Sequence, residues 1–106
     1  MKAQLIITHP GNAHFDEVTA VSLILAIYAD AEFRIERREP VPAELDNPDV
    51  WVVDIGNRHE PEKHNFDHHQ SLDFPAAFVL VARYLDIAET LAVMPWWYFK
   101  DDVDRF

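Results

Sequence analysis

Apolar and polar positions fall in blocks along this chain, and the blocks read as alternating strands and helices. Residues 4–8 form a short β-branched run with the continuous apolar character of a buried strand. Residues 9–15 contain Pro10 and Gly11 and break that run with a loop. The pattern then predicts a helix from Asp16 to Tyr28, with Asp16 as its cap and Asp16 and Glu17 at the positive end of the helix dipole. This segment is apolar nearly all round (Val18, Val21, Leu23, Ile24, Leu25, Ile27), the mark of a helix buried on several sides.

Residues 32–37 alternate, with Phe33 and Ile35 on one face and charge on the other, as an edge strand does. Pro40, Pro42 and Pro48 bracket a loop holding one helical turn near Ala43. Residues 50–54 are an apolar strand ending in an acid, and residues 56–70, polar and rich in His, read as a long loop. Asp73 ahead of Phe74-Pro75 predicts a capped helix over 75–85. A last helical stretch starts near Glu89, is interrupted at Pro95 and runs to residue 106. This order implies an α/β fold, an open and mostly parallel sheet flanked by helices. His9 and Asp54 then lie at the carboxyl ends of buried strands, where such sheets place their ligands.

The candidate chemistry sits in two histidine clusters, His9-Pro10-Gly11-Asn12-Ala13-His14-Phe15-Asp16-Glu17 and His64-Asn65-Phe66-Asp67-His68-His69-Gln70. Imidazole and carboxylate are donors for borderline and hard divalent cations. The set His9, His14, Asp16, Asp54, Asp67, His68 and His69 holds only oxygen and nitrogen donors. It favours Mn²⁺, with Mg²⁺, Co²⁺ and Zn²⁺ as the other candidates. Two such ions roughly 3.5–4 Å apart can activate water and polarise a phosphoryl oxygen. Binding needs neutral imidazoles, so affinity should fall below about pH 6.5. A lone histidine on a loop is usually solvated, which is the reading for His59. Glu17 and His64 are expected beside the ligands, orienting them. Arg58 and Lys63 flank the second cluster and are candidates for holding a substrate phosphate.

Composition narrows the picture. The chain has 106 residues, 19 acidic and 9 basic, for a net charge of -10. One domain is expected, and a protein dedicated to duplex DNA is not, because such proteins carry a basic stripe. Bound cations would still admit a phosphate-bearing substrate. The absence of cysteine excludes disulfides, thiolate zinc sites and cysteine nucleophiles. No segment has the length of a membrane-spanning helix, and a cytoplasmic protein is expected. The aromatic run Trp96-Trp97-Tyr98-Phe99 reads as core or as an interface, with a two-fold dimer as the simplest partner.

The ordered motifs resemble those of the DHH phosphoesterase superfamily. The resemblance is closest to the melanocyte-proliferating-gene branch, the metal-dependent protein hydrolases associated with RNA exonuclease activity. It is carried by Thr8-His9-x-Gly11-x-x-His14-x-Asp16-Glu17, by Val52-Val53-Asp54-Ile55-Gly56 and by His64-x-x-Asp67-His68-His69-Gln70. It implies that His9, His14, Asp16, Asp54 and His68 are metal ligands, with Asp54 bridging, and that Asp67 orients the histidine pair. His69 would contact the scissile phosphate. A fourth-motif acid would be Asp104, or else Asp101 or Asp102. The implied activity is hydrolysis of a phosphodiester or RNA end by a metal-bound hydroxide. Members usually carry a second, substrate-holding domain and a Gly-rich motif, whereas the only glycines here are Gly11 and Gly56. Residues 1–106 are therefore expected to form the metal-binding domain alone. Such a domain would be a poor catalyst by itself, or a non-catalytic metal- or nucleotide-binding module needing a partner chain.

Overall fold

The computed structural model describes residues 4–105. It contains β1 (Gln4–Thr8), α1 (Phe15–Ile27), β2 (Phe33–Arg37), α2 (Pro42–Leu45), β3 (Val50–Val53), β4 (His59–Glu60), β5 (Asn65–Phe66), α3 (Ala77–Tyr84), α4 (Ala88–Leu91) and α5 (Trp97–Arg105). The strands form one sheet in the order β2-β1-β3-β5-β4, parallel except for the β4–β5 pair. The fold is α/β. Among the described residues no helix is long and apolar enough to cross a membrane.

Strand alternation divides the core in two. Ile6, Trp51, Val53 and Phe66 face α1, α3 and α5, and pack with Ala20, Ile24, Phe78, Val81 and Trp97. Ile7, Val50 and Val52 face the other way, against Leu45 of α2 and Ile55. Gly56 packs into this second layer with φ +95°, and a Cβ there would meet Leu45 Cδ2 at 2.8 Å. Only glycine suits that backbone and that approach.

Three expectations need correction. Residues 56–70 are not one loop, because they fold back through β4, a 3-10 turn (Pro61–Lys63) and β5. Val52 N–H donates to His64 O at 2.9 Å and Asp54 N–H to Phe66 O at 2.8 Å, which builds β5 against β3. Two-residue strands are too short to leave an alternation pattern. Helix α3 begins at Ala77 rather than Pro75, and its start is held by Asp16 and Asp101 instead of Asp73. Helix α1 is not buried on several sides, since Val18 is 48% and Leu25 38% exposed.

Candidate metal centre

The centre is built where β1 and β3 end. Thr8 and Val53 are register partners, and the Thr8 hydroxyl donates to Val53 O at 2.8 Å. The next residues on each strand, His9 and Asp54, therefore leave the sheet side by side. His9 Nε2 lies 3.5 Å from Asp54 Oδ2. Asp54 has φ 61°, a left-handed conformation that short polar side chains tolerate best. Beyond β3, the pairing with β5 delivers Asp67, His68 and His69 to the opposite side of Asp54. The first turn of α1 brings in Asp16 and Glu17 from above.

Asp54 stands at the middle. His68 Nε2 lies 3.3 Å from its Oδ1 and 3.2 Å from Asp16 Oδ2. His69 Nε2 is 3.9 Å from the same Asp54 oxygen. On the far side His9 Nε2 is 2.6 Å from Glu17 Oε2, and the His9 and His14 rings are 5.2 Å apart. Two donor groups result, Asp54 with Asp67, His68 and His69, and His9 with His14 and Glu17. Within each, donor atoms lie inside 4.8 Å of one another.

These residues fit a divalent cation. His9 Nε2, Glu17 Oε2, Asp54 Oδ1 and Asp104 Oδ2 are buried without a hydrogen-bond partner. Polar atoms left this way are rare in folded proteins and call for an explanation. His9 Nε2 and Glu17 Oε2 are close enough for a hydrogen bond but are not aligned for one. Donor atoms that converge without bonding one another suit coordination of an ion.

The electrostatics agree with that fit. Burial pushes the Asp54 carboxyl above its ordinary range; the nearby His68 imidazole opposes this and the charge of Asp16 adds to it. Burial disfavours charge on His68, but the adjacent Asp16 and Asp54 carboxylates outweigh this and raise it to about 10. Asp104 is raised to about 6 by burial and then by the fields of Asp16 and Asp54. Too many carboxylates share too little solvent, a strain that a bound cation relieves.

Asp67 supports the histidine pair. Its Oδ1 accepts the His68 backbone N–H at 2.8 Å and contacts His69 Nδ1 at 2.6 Å. Its Oδ2 accepts the Asn57 N–H at 2.8 Å. Glu17 has the same function across the site. Its Oε1 accepts from the His14 backbone N–H at 2.7 Å and from Arg37 at 3.2 Å.

The structure thus gathers His9, His14, Asp16, Asp54, Asp67, His68 and His69 in one place. Of the three candidate acids on α5, Asp104 has its carboxyl raised by the fields of Asp16 and Asp54, and Asp101 accepts the Ala76 N–H. Arg58 and Lys63 are not brought to the cluster. Both pair with Asp46, at 2.8 and 3.4 Å, and neither lines the cleft above the centre. His64 is not beside a ligand either, because it stacks on Trp51 at 3.8 Å and bonds the Tyr84 hydroxyl. His59 is half-buried against Phe74 and Phe66. Trp97 is 4% exposed and belongs to the core, which leaves Tyr98 and Phe99 as the open part of the aromatic run.

Sequence reasoning underrated Glu17 and missed Arg37 and Asn57. Glu17 follows His14 by three residues, the spacing of a capping box, and that signal could have placed it. Arg37 and Asn57 act through tertiary contacts that leave no local pattern.

An α/β sheet with a histidine–carboxylate cluster at its strand ends defines a candidate metal-binding protein. The family model for the MYG1 exonucleases, described as uncharacterised protein family UPF0160, matches residues 5–80, and the chain belongs to that family. Human MYG1 exonuclease is 42% identical over 65 residues, which covers 59% of this chain and 16% of that protein. The mouse MYG1 exonuclease matches to the same extent. The MYG1 protein of Chlamydia trachomatis serovar D is 40% identical over 63 residues, covering 59% of this chain and 21% of that one. The chain thus aligns with about a fifth or less of the length of these relatives. No solved structure matches it significantly.

Proposed function

We propose that this chain is the metal-binding part of a DHH-type phosphohydrolase that cleaves a phosphodiester at an RNA end or in a short nucleotide. The observation that carries the reading is Asp54, whose two oxygens face two separate imidazole groups, His9 on one side and His68 with His69 on the other. A carboxylate so placed is suited to bridging two cations. Membership of the MYG1 exonuclease family supports the same class of reaction.

His9, His14, Asp16, Glu17, Asp54 and His68 would hold the ions, with Asp104 closing the set from α5. The donor set favours Mn²⁺, with Mg²⁺, Co²⁺ or Zn²⁺ as alternatives. Divalent ions held there would supply Lewis-acid polarisation of phosphate and activation of water. The remaining tasks belong to the chain. A cleft of about 530 Å³, lined by His9, His14, Asp54, Asn57, Asp67 and His69, opens over the centre and would receive the phosphate. His69 is 54% exposed in its side chain and is anchored through Nδ1 by Asp67. With that bond made, Nε2 is the free nitrogen at the cleft. In the protonated ring it would donate to a phosphate oxygen or to the leaving oxygen. The excess of acid over base elsewhere on the chain argues against duplex DNA as substrate.

The test is turnover with Mn²⁺ on short single-stranded RNA, pyrophosphate and an aryl phosphodiester, with Asp54→Asn as control. Slow, metal-dependent release of nucleotides from RNA, lost in the variant, is expected. Metal binding without turnover on all three substrates would replace this reading with that of a metal-binding module.

A further inference from the structure

The metal centre leaves two features of the fold unused. Helix α1 is apolar on nearly every face, yet Val18 and Leu25 are partly open to solvent. Strand β2 ends the sheet, with one edge unpaired among the described residues, and its Ile35 is 45% exposed. Val18, Val21, Ser22 and Ile35 line a common groove between helix and strand, together with Thr8 and the paired Glu17 and Arg37. Single exposed aliphatic residues are ordinary, but an open strand edge beside a partly apolar groove is a template for pairing.

The backbone shows which partner fits. Gln4 N–H donates to Glu32 O at 2.9 Å and Arg38 N–H to Thr8 O at 3.0 Å. The even-numbered residues therefore turn their peptide groups toward β1. Strand alternation then aims those of Phe33, Ile35 and Arg37 at the open edge. Two antiparallel copies related by a two-fold axis at Ile35 would match Ile35 with Ile35 and Phe33 with Arg37, all as hydrogen-bonded pairs. The closer, non-hydrogen-bonded positions would set Arg34 of one copy opposite Glu36 of the other, and the reverse. Arg34-Ile35-Glu36 read backwards is its own charge complement. Within one chain Glu36 takes Arg38 Nε on Oε1 at 2.7 Å and Arg34 Nε on Oε2 at 3.0 Å, so the Arg34 pair can be exchanged between copies while Arg38 stays in place. An axis normal to the sheet also keeps both α1 helices on one face. Val18 of each copy, which shares the groove with Ile35, then flanks the central Ile35 pair.

We propose that β2 is a homodimer interface, in which a second copy of this chain pairs antiparallel with it about Ile35 and continues the sheet across the axis. This places the two-fold contact on β2 and α1 rather than on the Trp96–Phe99 run, whose Trp97 is spent in the core. It also accounts for the apolar outer face of α1.

The experiment is solution mass by light scattering for the parent, Arg34→Glu, Glu36→Arg and an equimolar mixture of the two variants. The parent should run at twice its 12.3 kDa mass. Each single variant faces like charge with like and should dissociate at least about tenfold more readily. In the mixture, a strand acidic at both positions meets a strand basic at both. Every cross-axis pair is then of opposite charge, so a heterodimer should form. Rescue by mixing cannot come from a contact inside one chain. Ile35→Lys should also dissociate the dimer, and Tyr98→Ser with Phe99→Ser should not. A parent that is monomeric at every concentration would overturn the proposal. So would a mixture no more associated than its components, or a dimer lost only with Tyr98 and Phe99.

Discussion

The carboxylate of Asp16, in the first turn of α1, caps the start of α3, where the Phe78 N–H donates to its Oδ1 at 2.7 Å. The Ala77 N–H donates to Oδ2 at 3.1 Å. Asp16 thus serves a helix 61 residues away rather than its own, and its Oδ2 also faces His68. Helix capping and the metal centre meet in one side chain. Asp16→Ala should therefore destabilise the metal-free protein by about 1–2 kcal/mol, the usual cost of a lost cap. Chemical denaturation with a chelator present measures this. An unchanged midpoint would mean that the carboxylate serves the ions alone.

Asp54 should behave in the opposite way. Burial raises its folded pKa, so the folded state resists the carboxylate form and loses stability as pH rises through that raised value. Asn removes the charge and accepts the left-handed backbone at φ 61°. Asp54→Asn should leave the metal-free protein at least as stable at pH 7.5, while abolishing most of the Mn²⁺-dependent rise in melting temperature. Equal Mn²⁺ titrations for variant and parent would contradict this.

His68 sets the pH response. With its pKa raised to about 10, against an unfolded value near 6.5, its charge stabilises the metal-free fold fully below about pH 6.5, and the benefit is lost as pH climbs toward 10. A cation must displace that proton. Affinity should therefore keep rising above pH 7, well past the window expected from an unperturbed imidazole. Calorimetry of Mn²⁺ binding at pH 7.5, in two buffers of different ionisation enthalpy, should show release of about one proton. No dependence on buffer would count against a charged His68.

Asp67 and Glu17 both hold neighbours of the candidate centre in place through hydrogen bonds. Asp67→Ala loses the acceptor that holds both His68 N–H and His69 Nδ1. It should lower kcat on RNA by about 10–100-fold, the usual effect of losing a partner that orients a site, while Mn²⁺ affinity falls less. Glu17→Gln should do the reverse and weaken Mn²⁺ binding more than kcat, because its Oε2 lies against His9. Kinetics and titration of both variants separate the two roles; matching profiles would refute the division.

Sequence by itself determined a good deal. The apolar runs of β1 and β3, the alternation of Phe33 and Ile35 and the order of strands and helices specify an α/β sheet, because buried and edge strands carry different periods of hydrophobicity. The gathering of histidines and carboxylates was legible for the same reason. His9 and Asp54 follow apolar runs directly, so their place at strand ends comes from local pattern. Tertiary structure decided the rest. Asn65 and Phe66 become a strand only because the Val52 N–H donates to His64 O and the Asp54 N–H to Phe66 O. Glu17 enters the site because Arg37 and His9 converge on it from two different strands. Asp16 chose α3 over α1, and Arg58 chose Asp46 over the cleft. Each of these depends on a partner far along the chain. Periodicity and spacing record only what near neighbours impose, whereas capping, pairing and charge satisfaction are settled where distant segments meet.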